Sequence, residues 1–107
     1  MDVLVLSPCS KDKLYEPVLD CEEVDTLSRK YLVQEHAEYT ATAADMYTGR
    51  EHQHVKAAVT RLREVAEVDW YIISAGFGLL RDETDVPSYD CGFSDIELVR
   101  KRARSGG

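Results

Sequence analysis

The stretch that decides the fold is WYIISAGFG, residues 70–78, in which an apolar run ends in a loop with two glycines. Trp70 to Ile73 has the aromatic and β-branched composition of a strand, and the glycines allow backbone conformations that other residues resist. A similar run, Val3 to Leu6, ends at Ser7-Pro8 near the start of the chain. Both runs are continuous rather than alternating, which predicts two strands buried on both faces.

Helical patterns separate these two strands. A capping box at Asp20 introduces an amphipathic pattern, which predicts a helix over residues 21–36. A second capping box at Thr48 introduces a longer apolar stripe, which predicts a helix from Gly49 to Glu67. Between them, Glu38 to Ala44 is ambiguous, because Tyr39, Ala41 and Ala43 alternate like an edge strand while the alanines also suit a helix. We expect an irregular connection there.

A strand, helices and a second strand predict a parallel α/β unit with a right-handed crossover. We therefore expect an α/β fold, a three-layer sandwich with a short parallel sheet, as one domain over residues 1–104. Asp95 can cap a last helix, Ile96 to Arg104, and residues 105–107 are expected to be a disordered tail. A stable sheet normally needs three or more strands. Either Leu14 to Leu19 adds a strand, or a partner chain does, or the chain is a truncated form of a longer domain.

The charge pattern indicates whether the protein binds nucleic acid. The 107 residues carry 13 Lys and Arg against 20 Asp and Glu, a net charge of −7, and four of the basic residues lie within 100–104. Such an acidic body repels the backbone of a nucleic acid unless a local basic site overrides it, so generic DNA coating is not expected. A nucleic-acid contact through the basic end is the weaker interpretation of that cluster, and a solvated helix end is the stronger one.

The chain shows neither an apolar run of membrane-spanning length nor a basic leader before the first strand. We therefore expect a cytoplasmic protein without a membrane segment. Its three cysteines, Cys9, Cys21 and Cys91, are an odd number without a CxxC pair. That pattern predicts reduced thiols rather than a disulfide framework or a zinc site. His52 and His54 project about 200° apart on a helix, so they do not form a metal site together.

The carboxyl ends of parallel strands share one edge of a sheet. This places residues 7–11 beside residues 74–78, where open α/β sheets bind ligands. Lys11 and Lys13 follow the first strand and suit an anion such as phosphate. A surface turn with satisfied polar groups is an equally good interpretation of this loop. Cys9 could act as a nucleophile there, although inert packing is the commoner use of a reduced cysteine.

The glycine loop and a later turn add further candidates. Gly76 and Gly78 could present backbone amides to a phosphate, and Phe77 could stack on a base. A tight turn with Phe77 in the core is the plainer interpretation. Tyr89 and Asp90 could direct a phenol and a carboxylate at the pocket for acid–base chemistry, or they could simply form a turn.

Four motifs in order carry a resemblance to a known family: CSK at 9–11, ADMYTG at 44–49, ISAGFGLL at 73–80 and PSYD at 87–90. They resemble those of a family of small uncharacterised prokaryotic and archaeal α/β proteins. That family is similar to the peroxide-stress proteins and to the base-modification domains associated with archaeosine synthesis. The resemblance implies a Rossmann-like fold or one like that of uracil-DNA glycosylases.

The resemblance also implies a pocket built by the four motifs. The expected function is binding of a nucleoside, nucleotide or nucleobase, with N-glycosidic bond chemistry if the protein is an enzyme. We expect Asp90 and Tyr89 to be catalytic, Lys11 to meet a phosphate, Phe77 to stack on the base and the loop amides to hold an oxyanion. Neither a cofactor nor a metal is implied. The residues expected to bind the ligand are Ser10, Lys11, Tyr47, Ser74, Gly76, Phe77 and Gly78.

A second class of function fits the same sequence. In it the chain is a non-catalytic interaction module with a vestigial pocket, and a second copy or a partner chain completes the sheet. A homodimer is the expected assembly. The sequence is thus compatible with an enzyme and with a protein that only binds.

Overall fold

The structure is a computed structural model that describes residues 2–91. The last helix and the tail predicted from the sequence lie outside these residues. The described elements, in chain order, are β1 (Asp2–Pro8), α1 (Cys21–Thr26), α2 (Arg29–Glu35), a 3₁₀ turn (Ala37–Tyr39), β2 (Thr40–Thr42), α3 (Ala43–Met46), α4 (Arg50–Leu62), β3 (Glu67–Ser74), β4 (Gly78–Arg81) and β5 (Asp85–Pro87).

The central sheet has three strands in the order β1-β3-β4. β1 and β3 run parallel from Asp2 opposite Glu67 to Pro8 opposite Ile73, which confirms the predicted parallel pair. β4 pairs with β3 antiparallel, so the sheet is mixed and not purely parallel as expected. β2 and β5 form a separate antiparallel pair. The third strand of the main sheet thus comes from the chain directly after the glycine loop.

The segment from Leu14 to Leu19, considered above as a possible strand, is not one. It contributes a single isolated bridge, from Leu19 to Tyr89. The neighbouring Lys13 makes a similar bridge with Tyr47. These two bridges hold the loop after β1 against the segments that carry the two buried tyrosines.

The two main strands alternate in burial, which corrects the prediction that both their faces are covered. α4 packs against β1 and β3, and side chains such as Trp70 and Ile72 are buried. In β1, Leu4 and Leu6 are 70% and 60% exposed, and Leu79 of β4 is 53% exposed. The described residues are therefore compatible with an α/β fold but leave one sheet face open, so a three-layer sandwich stays a prediction.

The helices are shorter than the periodicity suggested. The capping box at Asp20 is present, but the predicted helix over 21–36 is two helices, because the chain is extended at Leu27 and the Ser28 hydroxyl accepts a new N-cap bond from Tyr31 N. α4 begins after Gly49, without a side-chain cap, and ends at Leu62. The segment 38–44, predicted to be irregular, contains β2 and the start of α3.

Cys21 and Cys91 form a disulfide across a sequence separation of 70, so the prediction of three reduced thiols is wrong in this structure. The bridge between Leu19 and Tyr89 and the bond from Asp90 N to Leu19 O (3.0 Å) place the two cysteines together. The spacing of the cysteines along the sequence does not indicate this bond, because the fold brings two distant segments together. Cys9 is a free cysteine. Within residues 2–91 no helix is both long enough and apolar enough to cross a membrane.

Candidate functional site

The loops after β1 and β3 meet at the carboxyl edge of the sheet, as predicted. Cys9 N donates to Ile73 O at 2.9 Å and continues the parallel ladder by one residue. Ala75 N then donates to the Cys9 Sγ at 3.3 Å. The first motif and the glycine loop are therefore adjacent, and Cys9 is occupied as the acceptor that joins them.

Three buried hydroxyl groups form a closed cluster beneath this edge. Tyr47 OH donates to Ser74 Oγ at 2.8 Å, and Tyr89 OH lies 2.7 Å from both of the other oxygens. Tyr47 and Tyr89 are fully buried, and Ser74 is nearly so. Burial raises the pKa of both phenols, so both are neutral hydrogen-bonding groups near pH 7. This hydroxyl cluster (Tyr47, Ser74, Tyr89) brings three of the predicted site residues together inside the protein.

The glycine loop is folded onto the hydroxyl cluster. Gly76 N donates to Ser74 Oγ at 3.2 Å and to Tyr89 OH at 3.3 Å, and Phe77 N donates to Ser74 Oγ at 3.1 Å. A Cβ on Gly76 would lie 2.7 Å from Tyr89 Cε2, so the ring leaves room for glycine alone. The N–H groups of Gly76 and Phe77 thus have partners within the protein, and the expectation that the loop amides hold an oxyanion stays a prediction. Gly78 has φ of 74°, the left-handed conformation that favours glycine.

Phe77 packs its ring against the edge of Tyr89, with the centroids 5.2 Å apart and the planes at 85°. It is partly buried and packs against the core, so the plainer sequence interpretation, Phe77 as a core contact, is confirmed. Its expected part in stacking on a base remains a prediction. Ser10 is similarly occupied, because its Oγ donates to Asp12 O at 2.7 Å and accepts from Gly49 N at 3.0 Å.

An open cleft of about 380 Å³ lies beside the hydroxyl cluster, and we call it the lysine cleft. Its lining consists of residues 11–17 and Asp90. Lys13 Nζ lies 4.4 Å from the centroid of the Tyr89 ring and donates to Lys11 O at 3.0 Å. The lysine cleft thus contains the predicted Lys11 and Asp90 together with Lys13, whose ammonium group lies over the Tyr89 ring.

Lys13 is the partly buried basic group of this cleft. Burial lowers the pKa of its ammonium group, and nearby acidic groups, among them Asp90, oppose that shift. Across residues 2–91 the ammonium group has no carboxylate at ion-pair distance. Because no carboxylate is paired with it directly, this half-buried cation can contact an anion, although Asp12, Glu16 and Asp90 on the same lining oppose that anion. The sequence favoured Lys11 over Lys13 as the phosphate contact. The bridge that holds Lys13 beside Tyr47 joins distant segments and has no local pattern in the sequence.

Asp90 and Tyr89, adjacent in sequence and predicted to act together, point to different environments. Tyr89 is in the core, whereas Asp90 is exposed and lines the lysine cleft. The backbone of Asp90 is fixed through its N–H bond to Leu19 O and through the neighbouring disulfide at Cys91. Asp90 can therefore touch a ligand in the cleft, and Tyr89 supports Lys13 through its ring.

No group of three or more His, Cys, Asp or Glu residues that could hold a metal ion occurs in the part of the chain between residues 2 and 91. His52, close to Tyr47 and Trp70, packs in the core. Its neighbour His54 is exposed. The two histidines therefore occupy different environments on α4.

Comparison with known proteins supports the expectation of an uncharacterised family. The model of a family of unknown function, DUF6884, matches residues 32–105. That range includes the motifs at 44–49, 73–80 and 87–90 and excludes the CSK motif at 9–11. Neither a curated protein nor a solved structure matches the chain.

Proposed function

We propose that this chain, which belongs to the family of unknown function DUF6884, binds a nucleoside, nucleotide or nucleobase in the lysine cleft. The observation that carries the proposal is Lys13, a half-buried ammonium group above an aromatic ring with no carboxylate at ion-pair distance among residues 2–91. A phosphate or another anionic group of the ligand would supply the missing counter-charge. Lys11 lines the same cleft and can add a second cation.

Asp90 supplies the complementary chemistry. Its exposed carboxylate lies on the lining of the same cleft as the two lysines. A carboxylate accepts hydrogen bonds from the N–H groups of a base or from the hydroxyls of a sugar. The cleft, at about 380 Å³, falls at the small end of the range of ligand sites, roughly 300–1,000 Å³. A nucleoside monophosphate presents an anion, hydroxyls and a planar base, and it matches these groups.

The proposal extends to hydrolysis of an N-glycosidic bond. Water would add to the anomeric carbon as the carbon–nitrogen bond breaks, Asp90 would accept the proton of that water, and the base would leave with the bonding electron pair and be protonated by solvent. Asp90 would also stabilise positive charge on the sugar ring. Release of free base from a nucleoside, followed by chromatography, measures this step. Asp90→Asn should abolish release and retain binding, whereas Asp12→Asn, on the same cleft, should retain both.

Calorimetric titration of the full chain with adenine, adenosine and adenosine monophosphate tests the binding itself. Lys13→Met removes the ammonium group, which lies over the Tyr89 ring, and keeps an unbranched side chain that is one heavy atom shorter. We expect it to weaken adenosine monophosphate binding by about tenfold or more, as loss of one charge-assisted hydrogen bond predicts. Lys30→Met, an exposed lysine on α2, is the matched control and should bind like the wild type. Equal affinities for the wild type and Lys13→Met would refute the proposal.

A non-catalytic interaction module is the second candidate, and the open sheet face favours it. Leu4, Leu6, Ile73 and Leu79 all expose more than a third of their surface, and the pairing of β1, β3 and β4 places them on one face of the sheet. Contiguous exposed apolar surface is typical of contact sites. A homodimer through this face is part of the candidate. Sedimentation equilibrium of the full chain and of Leu6→Asp tests it: a dimer that the substitution dissociates supports the module, and a monomer in both removes the homodimer.

The expected cytoplasmic location belongs to the proposal as well. Persistent disulfides are typical of oxidising compartments, so the bond between Cys21 and Cys91 bears directly on it. Counting reactive thiols in protein quenched directly from cells tests the location. Three reactive thiols agree with a cytoplasmic protein, and one reactive thiol opposes it.

A further inference from the structure

We propose a second ligand site at the first turn of α4, where it faces the loop after β1, and we infer that it takes a phosphate ester with a nearby hydroxyl group, such as a ribose phosphate. The site is a cleft of about 310 Å³, which we call the helix cleft. It shares no lining residue with the lysine cleft and does not depend on the function proposed above. The end of β1 and the first turns of α4 line it, and the lining includes Ser10, Arg50, Glu51 and His52.

One half of the helix cleft suits an anion. α4 has 13 residues and begins after Gly49 without a side-chain cap on its first-turn amides. The first turn of a helix carries free N–H donors and partial positive charge, which favour a phosphate group. Arg50 adds an exposed guanidinium group on the lining and makes no ion pair within residues 2–91. Glu51 is the carboxylate of the lining and opposes the charge of Arg50 in part.

His52, which lines the same cleft, contains a buried nitrogen without a partner. His52 is only 3% exposed and lines the cleft. Its Nε2 lies 2.8 Å from Ala44 O. Because a carbonyl can only accept, Nε2 carries the ring proton, and in the neutral ring Nδ1 is left with a lone pair. Burial lowers the pKa of His52, which favours this neutral form.

Nδ1 of His52 has no hydrogen-bond partner, and among residues 2–91 no other buried side-chain nitrogen or oxygen is left without one. Buried polar atoms are almost always satisfied in folded proteins, so an exception calls for a partner from outside the chain. A hydroxyl group is such a partner, because it can donate to the lone pair. This observation is independent of the helix terminus, and both lie on one cleft.

The two halves together define the ligand class. An anion without a hydroxyl, such as sulfate, would satisfy Arg50 and the first-turn amides but not Nδ1. A neutral sugar, such as ribose, would offer hydroxyls but no charge. A ribose phosphate offers both groups within one molecule, and it should therefore bind more tightly than either fragment.

Nuclear magnetic resonance of the isotope-labelled full chain tests the site with these three probes. We expect ribose phosphate to shift the His52 Nδ1 resonance and the amides of Arg50 and Glu51, sulfate to shift the amides alone, and ribose to shift neither. Arg50→Met should weaken ribose phosphate by about tenfold. Arg61→Met, an exposed arginine at the other end of α4, should bind like the wild type.

Two results would overturn the inference. One is a ribose phosphate titration that leaves Nδ1 and the first-turn amides unmoved. The other is binding that survives Arg50→Met but is lost in Lys13→Met, which would assign the ligand to the lysine cleft. Conversely, ribose phosphate binding that is lost in Arg50→Met and retained in Lys13→Met supports the helix cleft even if the lysine cleft binds no nucleotide. Arg50 is exposed, so its substitution leaves the fold intact and the comparison remains meaningful.

Discussion

The substitution Tyr89→Phe removes one hydroxyl from the core and keeps the ring on which Gly76 and Lys13 pack. Tyr89 OH lies 2.7 Å from Tyr47 OH and from Ser74 Oγ, and it accepts from Gly76 N at 3.3 Å. The Tyr47 hydroxyl donates its hydrogen to Ser74 Oγ, so in its contact with Tyr89 it accepts. The Tyr89 hydrogen is then used on Tyr47, and the Ser74 hydroxyl donates to Tyr89 OH, which closes the cycle. Without the Tyr89 oxygen, the hydrogen of Ser74 has no acceptor at a fully buried position.

The magnitude follows from this count of hydrogen bonds. One buried donor left without an acceptor costs about 1–3 kcal/mol of the free energy of unfolding. Gly76 N keeps its second acceptor, Ser74 Oγ, and adds little to the loss. Ser74→Ala should cost more than Tyr89→Phe, because Ser74 Oγ contacts two phenols and accepts from the amides of Gly76 and Phe77.

Urea titration of the two Tyr→Phe variants measures the effect against a matched control. Tyr71 also carries a phenol, but it is only partly buried, and its oxygen accepts from Arg81 at 3.0 Å beside solvent. Tyr71→Phe should therefore change the free energy of unfolding by less than about 0.5 kcal/mol. Equal values for Tyr89→Phe and Tyr71→Phe would refute the idea that the hydroxyl cluster stabilises the carboxyl edge.

Three further expectations can be measured by unfolding. Gly49→Ala would place a Cβ 2.5 Å from Ser10 Cβ, and such overpacking costs about 1–3 kcal/mol; an unchanged urea midpoint would contradict this contact. Reduction of the bond between Cys21 and Cys91, which closes a loop with a sequence separation of 70, should cost about 4 kcal/mol; urea titration with and without a dithiol checks it, and equal midpoints would argue against the bond. Burial lowers the pKa of His52 below 6.5, so below about pH 6.5 the unfolded chain binds more protons than the folded one. Stability should then fall on acidification from pH 7 to pH 5 by up to about 1.4 kcal/mol per pH unit, and thermal scans that show equal melting temperatures across that window would contradict it.

The central part of the fold could be predicted from the sequence because its signals are local. Continuous apolar runs locate β1 and β3 at Val3 to Leu6 and Trp70 to Ile73, and the helical pattern between them implies that the strands are parallel. The structure has this pair in register. The meeting of the two loops at the carboxyl edge follows from the same topology. This meeting of the two loops could therefore be predicted without any knowledge of tertiary contacts.

The features that sequence reasoning missed depend on contacts between distant segments. The antiparallel strand β4 is only four residues long and exposes Leu79, so its pattern resembles a loop. The disulfide and the position of Lys13 both depend on the bridges that the loop after β1 makes with Tyr47 and Tyr89. The burial of Tyr89 has the same origin, because the partners of its hydroxyl come from the residue after α3, from β3 and from the glycine loop. None of these partners lies within ten residues of it in the chain.

The lysine cleft as a nucleotide site is the central claim, and mapping of backbone amide shifts tests it most directly. Isotope-labelled protein would be titrated with adenosine monophosphate, and each perturbed amide would be assigned. We expect the perturbed amides to cluster at residues 11–17 and at Asp90, and we expect Lys13→Met to suppress the change. Perturbations confined to other surfaces, or no perturbation at all, would contradict the claim.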